Sequence, residues 1–189
     1  MNDIIDLSIT EHIKLAQKIN YLKDDILYAS KIIYALKETN NKLLICGNGG
    51  SASDSQHLAS ELVGRFEKNR QGFPAISLSN DSYSITAIGN DIGFQEIFSR
   101  QVESLGTNGD ILLAISTSGT SENVINAVSM AKSKGIYCLA LIGKDGGKLK
   151  GLVDLPILID HKRTARIQEM HILIIHIICQ LIEEKLCIS

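Results

Sequence analysis

The sequence predicts an α/β fold: a doubly wound, parallel five-stranded sheet flanked by helices, with a helical hairpin in front. Three observations carry this. Short apolar runs alternate with helix-like stretches from residue 42 onward. The runs are rich in Leu, Ile and Ala and show no in/out alternation, as expected of strands covered on both faces. Two of them end in glycine or hydroxyl loops that lead straight into helices, where open α/β sheets bind ligands. A length of 189 residues suits one domain, with residues 1–40 as the hairpin and 41–189 as the core.

Taken in order, residues 3–20 and 22–39 carry helical periodicity. The second stretch places Leu22, Ile26, Leu27, Ile32, Ile33 and Leu36 on a broad face, and Glu38-Thr39-Asn40-Asn41 ends it. Strands are expected at Lys42–Cys46, Ala75–Ser79, Ile111–Ser116, Tyr137–Ile142 and Leu155–Ile159. Helices are expected between and after them, at Ser51–Gly64, Ser82–Ile88, Phe94–Leu105, Glu122–Lys134 and Thr164–Leu186. A sheet does not need two extra amphipathic helices to close, so the N-terminal stripe either covers the sheet or, as expected here, meets a second subunit.

Composition narrows the function. Nineteen Lys and Arg against 21 Asp and Glu give a net charge of −2, which argues against a nucleic-acid groove or an anionic membrane as partner. Asp3, Asp6 and Glu11 stand where an export signal would be basic and then apolar. The apolar stretch Met170 to Ile182 is broken by His171, His176 and Gln180 and reads as a buried helix too short for a bilayer. Cys46, Cys138, Cys179 and Cys187 show no C-x-x-C spacing and read as reduced thiols of a cytoplasmic protein.

Two loops point to an anion. Gly47-Asn48-Gly49-Gly50-Ser51-Ala52 follows an apolar strand and opens a helix, so free backbone N–H groups and the helix dipole face whatever sits there. The same segment fits the loose dinucleotide pattern G-x-G-x-x-A, but the acidic residue that pattern wants falls at Glu67, before the next strand begins. Ser51 also reads as an N-cap with Asp54 at the third helical position. The second loop, Ser116-Thr117-Ser118-Gly119-Thr120-Ser121, offers five hydroxyls at a strand end; one cap explains only one of them. Two such loops on separate strands suit one sugar phosphate better than a pyrophosphate.

Beyond the first loop, His57 and Glu61 lie four residues apart, roughly 40° around the helix. Alone they could be a plain surface pair. In the last helix, Gln168, Glu169, His171 and His176 are embedded in apolar sequence, where polar groups must be paired or metal-bound. The helical wheel puts Glu169 roughly 20° and Gln168 roughly 80° from His176, which favours Glu169 as its partner.

These motifs resemble those of sugar isomerase (SIS) domains, and among them phosphoheptose isomerases, which interconvert sedoheptulose 7-phosphate and D-glycero-D-manno-heptose 7-phosphate. The resemblance rests on GNGGSA at 47–52, H-x-x-x-E at 57–61, Gly89-Asn90-Asp91, STSGTS at 116–121, GKDGGK at 143–148, and ARIQEMH at 165–171 followed by His176. It implies sugar-phosphate contacts from Gly49, Gly50, Ser51, Glu61, Asn90, Asp91, Ser116, Thr117, Ser118, Ser121 and Gln168. It implies Glu61 and His176 as the acid–base pair, and one zinc ion per subunit on His57, Glu61, Gln168 and His176. For the ligand set it therefore favours Gln168 where the wheel favours Glu169. It also implies a homotetramer with sites at subunit interfaces, and a place in the first step toward nucleotide-activated heptose for lipopolysaccharide or capsule. Ala165 stands where some members carry an aspartate. A non-catalytic sister branch that binds the bacterial replication initiator lacks the glutamate and the late histidine; Glu61 and His176 set this chain apart from it.

Overall fold

The computed structural model describes residues 2–188. Five parallel strands form one sheet in the order β2-β1-β3-β4-β5: β1 Leu43–Gly47, β2 Ala75–Ser77, β3 Ile111–Ser116, β4 Tyr137–Gly143 and β5 Leu155–Ile159. The helices are α1 Asn2–Lys18, α2 Lys23–Ala35, α3 Gly50–Val63, α4 Ser82–Asp91, α5 Ser99–Leu105, α6 Glu122–Ser133 and α7 Thr164–Ile188.

Alternate residues of the central strands feed two separate cores. Leu43, Ile45, Leu113, Ile115, Leu139 and Leu141 face α2, α3 and α7. Leu44, Cys46, Leu112, Ala114, Cys138 and Ala140 face α5 and α6. Every residue of β1 and β3 is buried, which explains why neither strand alternates in sequence. The chain runs from β1 outward to β2, then returns to β3 on the other side of β1. The carboxyl ends of β1 and β3, with Gly47 paired to Ile115, therefore form the switch point where such sheets open a crevice.

Some boundaries differ from expectation. Lys42 precedes β1, and β2 stops at Ser77, although the Leu78 amide still donates to the Ile45 carbonyl at 2.8 Å. The expected helix at Phe94–Leu105 is a 3₁₀ turn at Phe94–Glu96 followed by α5. The break arises because α6 claims the backbone there: Asn126 Nδ2 donates to the Gln95 carbonyl at 3.2 Å. A 3₁₀ turn at Ile19–Leu22 joins α1 to α2, and both make their main contacts with α7.

The helix containing Met170–Ile182 starts at Thr164 as expected, but its apolar stretch is not too short for a bilayer. Thr164–Lys185 is long and apolar enough to cross a membrane by length and composition. Here α7 is a core helix instead, with Ile167, Met170, Ile174, Ile175, Ile178 and Ile182 buried against the sheet and its neighbours. Cys46, Cys138 and Cys179 are buried and free, and Cys187 is exposed and free.

Candidate active site

The turn after β1 lets two distant pieces of chain touch. Gly49 precedes α3 with φ of 56°, a conformation that side chains rarely adopt. A Cβ on Gly50 would lie 1.8 Å from Gln168 Nε2, so only glycine lets the α7 amide rest on the N-terminus of α3. Ser51 is not the N-cap; it lies inside α3, 3% exposed. Gly49 takes the cap position with no side chain to cap the turn, and the Ser51 and Ala52 amides donate instead to the Asn48 and Gly49 carbonyls at 3.0 Å each.

The next turns of α3 and the middle of α7 bring three side chains to one point. His57 Nε2 lies 3.2 Å from Glu61 Oε1 and 3.3 Å from His176 Nε2. The two imidazoles meet edge-on with centroids 5.1 Å apart, and the Phe66 ring backs His176 at 5.7 Å. The side chains of His57 and Glu61 are 42% and 23% exposed, so the centre opens to solvent. A shallow cavity beside it is lined by Gly50, Asp54, His57, Ala165 and Gln168.

Glu169 also borders this cavity but is turned to another task, which corrects the expectation from the wheel. Its carboxylate binds His12 Nδ1 of α1 at 2.8 Å and the Arg166 guanidinium. Gln168, one residue earlier, is the α7 polar side chain on Gly50. His171 is fully buried, its ring meets the Ile142 backbone without good hydrogen-bond geometry, and burial pushes its pKa down to about 4. It belongs to the core.

The hydroxyl loop closes the other side of the switch point. Ser116 Oγ accepts from the Gly119 amide at 3.1 Å and lies 3.4 Å from Ser121 Oγ. Ser118 Oγ accepts from the Thr120 amide at 3.2 Å. Ser121 is the N-cap of α6 by position, yet its side chain makes no capping bond. The loop is thus shaped by its own hydroxyls; the half-buried Thr117 directly follows β3, and Ser121 stands at the start of α6. Gly119, at φ 66°, packs so tightly on the next loop that a Cβ would lie 2.0 Å from the Gly146 carbonyl oxygen. The GKDGGK segment therefore buttresses the hydroxyl loop.

Asn90 and Asp91 lie exposed on the last turn of α4, where Asn90 Nδ2 donates to Asp91 Oδ1 at 2.7 Å. No described contact ties them to the His57 cluster within this chain.

Two features escaped the sequence. Asn48 and Asn123 exchange a pair of amide hydrogen bonds, 2.8 and 2.9 Å, that tie the glycine loop to the first turn of α6. Asparagine in a glycine loop gives no hint of a partner 75 residues away. Asp54 has a buried, unpartnered carboxylate oxygen beside His57, and desolvation raises its pKa to about 6 against the opposing pull of His57. Sequence offered it only as a helix-start acid.

Two imidazoles and a carboxylate are donor types that zinc accepts. A tetrahedral zinc site with bonds of about 2.0–2.1 Å has edges of about 3.3 Å, and both His57 distances match this. Among the described residues, no group of three or more His, Cys, Asp or Glu side chains is arranged to hold a metal ion.

The glycine loop and the hydroxyl loop meet at the switch point, as the resemblance to sugar isomerase domains implies. Consistent with this, the SIS domain model matches residues 10–143. A phosphoheptose isomerase of a Nitratiruptor species is 50% identical over 186 residues, covering 98% of this chain and 100% of the relative. That of Helicobacter hepaticus is 47% identical, covering 98% of this chain and 94% of its own. The structure of phosphoheptose isomerase from Neisseria gonorrhoeae superimposes with a TM-score of 0.92 at 40% identity, covering 97% of this chain and 98% of that one. The chain belongs to the phosphoheptose isomerase family of SIS-domain proteins.

Proposed function

We infer that this protein is an aldose–ketose isomerase that converts sedoheptulose 7-phosphate to D-glycero-D-manno-heptose 7-phosphate. The observation that carries the reading is the meeting of Glu61 and His176 around His57, next to a switch-point crevice flanked by two anion-type loops. Family membership at about half identity over the full chain supports the substrate.

Isomerisation removes a proton from one of C1 and C2 and returns it to the other through an enediol(ate). Glu61 is the carboxylate base for the carbon-bound proton, and His176 moves protons at O1 and O2. The hydroxyl loop, with Ser116, Thr117, Ser118 and Ser121, holds the phosphate. Gly49, Gly50, Ser51 and Gln168 line the path between, so remote binding fixes the reacting carbons against Glu61. Asn90 and Asp91 are substrate contacts only if a loop motion or a second subunit brings them to the crevice.

Zinc is the cofactor that His57, Glu61, Gln168 and His176 would hold, one per subunit. Bound there, it would supply Lewis-acid polarisation of the sugar oxygens. Five large apolar side chains on α1 are more than half exposed, namely Ile4, Ile5, Leu7, Ile9 and Ile13, and the site is open on one subunit. Both features support a homotetramer with sites completed at subunit interfaces. Four free thiols, three of them buried, support a cytoplasmic enzyme. The test is turnover of sedoheptulose 7-phosphate in D₂O: an enediol route allows deuterium into C1 or C2 of the product. Label that never enters, or no turnover at all, overturns the assignment.

A further inference from the structure

Eleven residues, 64–74, connect α3 to β2, and one buried ion pair holds their first half. Glu183 of α7 is 3% exposed, and its carboxylate accepts three successive backbone N–H groups: Phe66 at 3.1 Å, and Glu67 and Lys68 at 2.8 Å each. Arg70 Nε faces the same carboxylate at 3.5 Å, and both side chains are almost sealed from water. The Arg70 fork turns the other way, onto the last turn of α3. Its Nη2 donates to the Glu61 carbonyl at 2.6 Å, and its Nη1 to the Leu62 carbonyl at 2.6 Å and the Gly64 carbonyl at 3.1 Å. These are among the carbonyls that a helix end leaves without partners, and a cation there also meets the negative end of the dipole.

The placement ties this pair to the reacting groups. Glu61 is the residue whose carbonyl Arg70 grips. Glu183 follows His176 by seven residues, about two turns along the same face of α7. Phe66, whose amide Glu183 holds, sets its ring against His176. One ion pair thus fixes the backbone of the proposed base, the helix of the proposed acid–base histidine, and the ring that backs it.

We propose that Glu183 and Arg70 are positioning residues for isomerisation: a buried clasp that sets the distance between Glu61 and His176. The proposal rests on the catalytic roles given above to those two groups. The Arg70 fork binds several carbonyls at fixed angles, which a lysine ammonium cannot reproduce. Glu183 needs both oxygens as acceptors; an amide turns one acceptor into a donor facing N–H groups.

Arg70→Lys and Glu183→Gln, assayed as full-length protein, test it. Each is expected to lower kcat about ten- to a hundredfold, the scale of a misplaced catalytic group, with KM within about threefold because the phosphate loop is remote. Glu183→Asp, which keeps the charge, should recover part of the loss. Combining Arg70→Lys with Glu61→Gln should cost no more than Glu61→Gln alone, since one acts through the other. A purely structural clasp would lower the melting temperature, leave kcat per folded molecule unchanged, and add its effect to that of Glu61→Gln; that result overturns the proposal. If Glu183→Gln does not fold, Arg70→Lys decides alone, and if neither folds, Glu183→Asp does, because it keeps the charge but shortens the reach to the Phe66–Lys68 amides and must still lower kcat; a native kcat there overturns the proposal. An active Glu61→Gln enzyme would sink the assignment of the base instead, so the two failures are distinguishable.

Discussion

At the scale of single residues, charge and desolvation decide the outcomes. Glu61→Gln keeps shape and hydrogen bonding but loses the base, so kcat should fall at least about a hundredfold while substrate still binds, as read by steady-state kinetics and calorimetry. His176→Gln should behave alike, and His57→Ala should lower bound zinc measured by elemental analysis. His171 matters to stability. Its folded pKa is held down to about 4 by burial, with a weaker upward pull from the Ile142 backbone, against an ordinary value near 6.5. The unfolded chain therefore takes up the proton first, and stability is lost as pH falls from about 6.5 to about 4, by roughly 3 kcal/mol in all. Urea midpoints at pH 7 and pH 4.5 should diverge more for the native protein than for His171→Leu. An equal divergence would mean that other groups drive acid unfolding. The His57–Glu61 pair was legible because i,i+4 spacing is local geometry. The choice between Gln168 and Glu169 was not. A helical wheel reports angles on one helix and cannot foresee His12, 157 residues away, which takes the glutamate.

Elements were legible where burial on both faces leaves uninterrupted apolar runs, as in β1, β3 and β4. They were less legible where backbone groups are claimed by distant side chains, as at Gln95, or where a strand is short and lies at the sheet edge, as β2 does. The loops at the strand ends were read as anion sites from composition, and the chain does bring them to the switch point. Their mutual fastening through Asn48 and Asn123 needed coordinates. If the hydroxyl loop grips the phosphate, Ser116→Ala combined with Ser118→Ala should mainly raise KM, each lost hydrogen bond to the dianion costing about 1.5–3 kcal/mol. Part of any stability change would come from the Gly119 and Thr120 amides, which lose their acceptors. Unchanged KM and kcat would move the phosphate elsewhere.

For the whole molecule, the unpartnered apolar face of α1 predicts association. Sedimentation at micromolar concentration should give a species near four times 20.6 kDa, and Ile5→Glu with Ile9→Glu should shift it toward the monomer. A native protein that sediments as a monomer would remove the interface reading. A different consequence follows from where α7 stands in the chain. Gln168, His176 and Glu183 all ride on the last helix, yet their partners Gly50, His57, Phe66 and Arg70 belong to the first half. During synthesis, all five strands leave the ribosome before that helix does. Until it arrives, the face that Leu43, Ile45, Leu113 and Ile115 present is covered only by α2 and α3, and a part-covered apolar sheet is the kind of surface that aggregates or recruits chaperones. A nascent chain halted near residue 160 would already hold both anion loops but no acid–base histidine and no clasp, so activity would begin only when the final helix docks.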